Sequence, residues 1–128
     1  METKLQIALD VLSLNEALDI ARQVADYVDI IELGTPLLKE ESSEYALKIM
    51  KAKCPNKKIL ADLKTMDTGE IEAKIAFKAG ADIMTVCAAA NIATIEGALS
   101  VAKKMKKQVL VEKKSIIDLI TTAYIIIH

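Results

Sequence analysis

Short apolar runs recur along the chain and end in polar residues: LQIALD (5–10), VDIIELG (28–34), KILADLK (58–64), ADIMTVCA (81–88), QVLVE (108–112) and YIIIH (124–128). Each has the length and β-branched character of a strand. Helical spacing fills the stretches between. Ala17, Leu18, Ala21, Val24 and Ala25 form one apolar stripe, opened by Ser13 and Glu16 at capping-box spacing. Ile71, Ile75, Ala76 and Ala79 form another, with Gly80 where a helix C-cap belongs. Ile95, Ala98, Leu99 and Ala102 form a further one, closed by KKMKK, whose positive charge suits a helix C-terminus. Strand and helix in steady alternation predict βα units on a parallel sheet. No linker rich in Pro, Gly or Ser and no low-complexity segment interrupts it, so residues 1–128 read as one domain.

Period two along a strand assigns the charges to a face. Gln6, Ala8 and Asp10 share one side of the first strand. Val28, Ile30 and Glu32 share one side of the second, and Leu60, Asp62 and Lys64 one side of the third. The polar residues therefore stand at the C-terminal ends of three successive strands. If these faces point the same way, Asp10, Glu32, Asp62 and Lys64 converge where parallel α/β proteins and (β/α) barrels carry their active sites. Four ionisable groups in one patch are costly to bury unless they pair or bind a cation. Two carboxylates beside a phosphorylated or polyhydroxylated ligand suit Mg²⁺ or Mn²⁺. The Lys64 ammonium, two residues from Asp62, is placed to stabilise a developing oxyanion. Asp67 falls just past the strand. With Glu70 it has the spacing of a helix cap, a structural role that does not exclude a catalytic one.

Composition narrows the function. The chain has 128 residues, 52% of them apolar and 27% charged, and a net charge of −1, which fits one domain with a real core. It lacks the basic balance of a nucleic-acid surface. With no Trp, one Phe and three Tyr it has few platforms for stacking bases. No apolar run is long enough to span a membrane, and METKLQIALD has no signal-peptide stretch. Cys54 and Cys87 lack a metal-ligand spacing and fit reduced thiols in the cytoplasm.

LQIALD, YVDIIELGTPLLKEE, ILADLKTMDTGEIEAKIAFKAGADIMTV and ATIEGALSVAKK closely resemble the 3-hexulose-6-phosphate synthases, members of the orotidine-monophosphate-decarboxylase-like barrels. The resemblance spans roughly residues 4 to 112. Its signature is Asp-x-Lys-x-x-Asp at Asp62, Lys64 and Asp67, and ELGTP with KTMD points to the synthases. The 3-keto-gulonate-6-phosphate decarboxylases are the nearest alternative. The resemblance implies an aldol reaction in which formaldehyde adds to ribulose 5-phosphate through a Mg²⁺-stabilised enediolate. It implies Glu32 and Asp62 as metal ligands, Lys64 as the cation that steadies the enediolate, and Asp10 as a holder of substrate hydroxyls. It also implies a homodimer in which Asp67 reaches into the partner's site.

A complete barrel of this kind has eight βα units and about 200 residues or more. About six strands are legible here, so an incomplete barrel is expected, impaired in activity or reduced to a non-catalytic fragment. Glu112 stands where the synthases usually have Asp. Lys113 to Ala123 leaves only 11 residues for a crossover. YIIIH resembles the sixth strand, which ends in an active-site His, here His128. The phosphate of the substrate usually sits on the loops after strands seven and eight. No Gly-rich phosphate loop is legible in the chain, and its single arginine, Arg22, falls within the first helix.

Overall fold

A computed structural model of the chain describes residues 3–113 and 123–127, with side chains as far as Glu112. The strands are β1 (Gln6–Leu9), β2 (Ile30–Leu33), β3 (Lys58–Thr65), β4 (Ile83–Cys87), β5 (Gln108–Lys113) and β6 (Ala123–Ile127). They form one sheet in the order β1-β2-β3-β4-β5-β6. The helices are α1 (Leu14–Val24), α2 (Thr35–Glu40), α3 (Ser43–Lys53), α4 (Gly69–Lys78) and α5 (Ile92–Met105), with a 3₁₀ turn at Ala25–Tyr27. Strands β1 to β5 are parallel, each joined to the next through helix, as the alternation predicts.

The sixth strand departs from expectation. β6 pairs with β5 antiparallel, Val109 opposite Ile127 and Lys113 opposite Ala123. A parallel crossover needs a dozen residues or more, and only 114–122 lie between the two strands. An antiparallel return fits that length. His128 lies outside the described residues.

One face of the sheet packs on the helices. Leu9, Ile31, Leu33, Ile59, Ala61, Met84, Val86 and Val109 point to that side and meet Ala17, Ala21, Leu47, Met50, Ala76 and Ala98 in a single core. On the opposite face Leu60, Ile83 and Leu110 form a smaller cluster with Ile30 against it. This second cluster is a layer inside the curved sheet, beneath the strand ends that carry the charges.

The caps follow local chemistry. Ser13 caps α1 by accepting from the Glu16 amide at 3.5 Å. Gly80 has φ +108, and the Ala81 amide donates back to the Ala76 carbonyl at 3.1 Å, the left-handed closure expected after a helix C-terminus. The second crossover divides into two helices because the chain turns extended at Glu41, φ −93 and ψ 158.

The stripe expected on α4 is half present: Ala76 and Ala79 are buried, but the two isoleucines are not. Ala73, Ala76 and Phe77 are buried, whereas Ile71 and Ile75 are 59% and 47% exposed. The N-terminal end of α4 meets α5 at a distance that leaves no room for a side chain at residue 69. A Cβ on Gly69 would lie 2.0 Å from the Thr94 carbonyl oxygen. Asp67 does not cap α4 either. Thr68 holds the cap position in a left-handed conformation, and its hydroxyl donates to Asp67 at 3.3 Å.

At the N-terminal ends of the strands, Asp82 ties three elements together. Its carboxylate accepts from Lys51 Nζ at 2.9 Å, Lys107 Nζ at 2.7 Å and the Ile59 amide at 3.0 Å. Burial alone would raise its pKa; the bonds from Lys107, Lys51 and Ile59 outweigh that and hold it below the usual carboxylate value. A depressed pKa adds stability above the unfolded-state value of about 3.9, lost as pH falls through the folded value. Asp82→Asn is therefore expected to cost roughly 1–3 kcal/mol at neutral pH. The gap from the unsubstituted chain should close below about pH 4, as measured by urea unfolding across pH.

Candidate active site

β1, β2 and β3 stand in register, with Ala8 opposite Glu32 and Glu32 opposite Leu60. Asp10, Glu32, Asp62 and Lys64 emerge side by side at the C-terminal ends of these strands. They line one cleft of about 480 Å³ with Ala8, Thr35, Pro36 and Glu112. Asp67 does not join them. It is exposed and borders a separate groove with Gly69, Asn91 and Thr94, between the N-termini of α4 and α5.

Asp10 reaches the cleft because residue 34 has no side chain. A Cβ there would lie 2.1 Å from Asp10 Oδ1 and 3.0 Å from the Leu9 carbonyl oxygen. The Gly of ELGTP is thus a close-approach glycine at ordinary φ, −64. Gly34→Ala is expected to push the Asp10 carboxylate aside and cost about 1–3 kcal/mol of stability. Adding Asp10→Ala should recover part of that loss in urea unfolding, because the clash is mainly with its carboxylate.

Asp62 is 3% exposed and held from several sides. Thr35 Oγ1 donates to Oδ2 at 2.8 Å, Thr85 Oγ1 donates to Oδ1 at 2.9 Å, and Lys64 Nζ donates to Oδ2. Burial alone would raise its pKa; the bonds from Lys64, Thr35 and Thr85 outweigh burial and keep it an anion. The Lys64 ammonium also lies 3.5 Å from Glu112 Oε2 and 3.2 Å from Thr35 Oγ1. Burial would lower its pKa, but Asp62 and Glu112 raise it above the usual lysine value. The cleft thus holds a permanent cation between two carboxylates.

Glu32 behaves differently. Burial and the nearby Asp62 charge push its pKa to about 7, against a 2.5 Å hydrogen bond from Gln6 and the pull of Lys64. Burial is the larger cause and the Asp62 charge adds to it; a cation bound beside Glu32 would oppose both. No group of three or more His, Cys, Asp and Glu is arranged as a metal cage among the described residues. Glu32 and Asp62 supply two carboxylates on one face, a donor set that fits Mg²⁺, which takes one or two carboxylates and keeps its waters.

Thr35 and Glu112 complete the cleft beyond the residues picked from the charge pattern, and buried Thr85 supports Asp62 and Lys64 from behind. Glu112 is 8% exposed and ends β5 on the same face. Its signal was the alternation in QVLVE. Thr85 had a weaker one, a hydroxyl in the otherwise apolar strand IMTVC.

A profile of the orotidine 5′-phosphate decarboxylase / HUMPS family matches residues 3–124. The chain is 51% identical over 120 residues to a 3-hexulose-6-phosphate synthase from Mycobacterium gastri, a match covering 94% of this chain and 58% of the relative. It superposes with a TM-score of 0.87 on a crystal structure of 3-hexulose-6-phosphate synthase at 51% identity, covering 91% of this chain and 56% of the other. The TM-score is also 0.87 for 3-keto-L-gulonate-6-phosphate decarboxylase from Vibrio cholerae, at 39% identity, covering 91% of this chain and 54% of the other. The chain spans about half the length of the relatives it matches.

Proposed function

The chain belongs to the orotidine 5′-phosphate decarboxylase / HUMPS family, and from that membership we propose that it serves as the metal- and charge-bearing part of a 3-hexulose-6-phosphate synthase, an aldehyde-lyase. The substrates are ribulose 5-phosphate and formaldehyde. One observation carries the reading: Asp10, Glu32, Asp62 and Lys64 line a single cleft, with the Lys64 ammonium fixed against Asp62.

Removing one C1 proton next to the sugar ketone places one negative charge on the former ketone oxygen, beside the C1 oxygen, an enediolate. Lys64 stabilises that charge while Asp62 holds the ammonium in place, so little reorganisation is needed during reaction. Asp10 accepts from substrate hydroxyls and fixes the sugar's orientation. Carbon–carbon bond formation follows when the enediolate carbon attacks formaldehyde, whose oxygen takes up a proton. His128 is the proposed proton carrier. Glu32 and Asp62 are the proposed ligands of Mg²⁺ or Mn²⁺, which when bound supplies Lewis-acid stabilisation of the same oxygens.

Identity favours the synthase over the decarboxylase, 51% against 39%, while the TM-scores do not separate them. The decarboxylase stands as the second reading because its structure superposes equally well. Product analysis distinguishes the two. Formaldehyde-dependent formation of hexulose phosphate supports the synthase, and release of CO₂ from 3-keto-gulonate 6-phosphate without formaldehyde consumption supports the decarboxylase.

We further propose a cytoplasmic homodimer. Among the described residues no helix is long and apolar enough to cross a membrane. Met66, Ile71, Ile75 and Ile92 are all about half exposed or more; Ile71 borders the groove that Asp67 lines, Ile75 lies one turn further along α4, and Ile92 begins α5. Covering them with a second copy would remove that apolar surface from water and bring Asp67 close to a neighbouring site. Sedimentation equilibrium is expected to give a dimer mass at micromolar concentration, and Ile71→Glu/Ile75→Glu is expected to shift it to monomer.

A further inference from the structure

Asp62 and Lys64 do not sit on a regular strand. Leu60 pairs with Ile83 and Ala61 with Met84, but the next pair is Thr65 with Val86. β3 therefore takes four steps, 61 to 65, where β4 takes two, 84 to 86. The additional residues arch out of the ladder, and Lys64 at the end of the arch has φ +48. That left-handed conformation is unfavourable for a residue with a long side chain and persists only where its surroundings hold it. Such an arch also leaves backbone groups without their ladder partners.

Thr85 lies on β4 beside this arch and is 2% exposed. Its hydroxyl accepts from the Lys64 amide at 2.8 Å and donates to Asp62 Oδ1 at 2.9 Å. A single oxygen thus replaces the missing backbone acceptor for one site residue and orients the carboxylate of the other. Both roles of the hydroxyl are used, since it has one proton to give and that proton goes to Asp62. The acceptors on Asp62 divide accordingly. Oδ2 receives Thr35 and Lys64, and Oδ1 receives Thr85, so free acceptor capacity remains on Oδ1.

We propose that Thr85 is a positioning residue whose hydroxyl locks the β3 arch and thereby presents Asp62 and Lys64 together to the cleft. The consequence for metal binding rests on the reading of Asp62 as a ligand; the consequence for the arch does not. A methyl or isopropyl group in the same space would fill the core equally well but would leave the Lys64 amide unpartnered and Asp62 Oδ1 free to swing.

Two readouts test this on the unsubstituted chain, Thr85→Val, Thr85→Ser and Asp62→Ala. The first is hydrogen exchange of the Lys64 amide by NMR, and the second is Mn²⁺ affinity by water-proton relaxation. In the unsubstituted chain the Lys64 amide should exchange far more slowly than that of exposed Met66. Thr85→Val should speed it about tenfold or more and weaken Mn²⁺ binding about tenfold, the usual scale for losing a group that orients a metal ligand. Thr85→Ser, which keeps the hydroxyl, should restore both. An unprotected Lys64 amide in the unsubstituted chain would overturn the proposal whether or not Thr85→Val folds. So would unchanged exchange in Thr85→Val, or a Ser variant that behaves like Val. Unchanged Mn²⁺ affinity in Asp62→Ala would instead defeat the ligand assignment, with the exchange comparison still deciding the role of Thr85.

Discussion

Lys64→Ala is expected to lower kcat for joining formaldehyde to ribulose 5-phosphate by roughly 10²–10³-fold, with a much smaller change in KM. The ammonium is fixed in the ground state by Asp62 and Glu112 and so is already in place when charge develops on the substrate. An interaction that strengthens only as the enediolate forms acts on the transition state more than on binding. The assay should use the chain joined to the later βα units of its Mycobacterium gastri relative. Arg22, the chain's single arginine, lies on α1 in a different groove, beside Lys53 and Cys54. With no recognisable phosphate grip among the described residues, residues 1–128 alone should turn over slowly, because remote binding energy orients the reacting end. Loss in KM rather than kcat would recast Lys64 as a substrate-binding residue.

The second large effect concerns the metal. Glu32→Ala/Asp62→Ala is expected to remove detectable Mn²⁺ binding in water-proton relaxation, while the unsubstituted chain is expected to bind weakly through these two proposed ligands. Asp62→Ala should be the more damaging single change. It deletes a proposed ligand and also frees Lys64, whose ammonium then keeps Glu112 and Thr35 nearby. Glu32→Ala removes a carboxylate that Gln6 alone fixes by a hydrogen bond among the described contacts. Equal binding by the double variant and the unsubstituted chain would remove the assignment.

Much of this site was legible from side-chain period alone. Asp10, Glu32 and Asp62 alternate with apolar neighbours, and parallel register carries that alternation from strand to strand, whereas Lys64 reaches the cleft through an arch in β3. Asp67 was legible as a loop residue but not its distance from the cleft, because the αL turn at Thr68 depends on how closely α4 meets α5. Ile71 and Ile75 face outward, where periodicity placed them inward. Thr85 and Thr35 escaped notice because a buried hydroxyl carries no charge to mark it, and its importance comes from an arch in β3 that no local pattern announces. The direction of β6 was set by connection length, which was visible, against strand resemblance, which pointed the other way.

If the cleft stabilises an enediolate of a sugar phosphate, the C1 protons of ribulose 5-phosphate should exchange with solvent deuterium without formaldehyde, as followed by NMR in the same joined protein. The expected exchange requires Mg²⁺ and falls sharply in both Asp62→Ala and Lys64→Ala. Exchange at an unchanged rate in those variants, or none in a preparation that still forms hexulose phosphate, would contradict that role of the cleft.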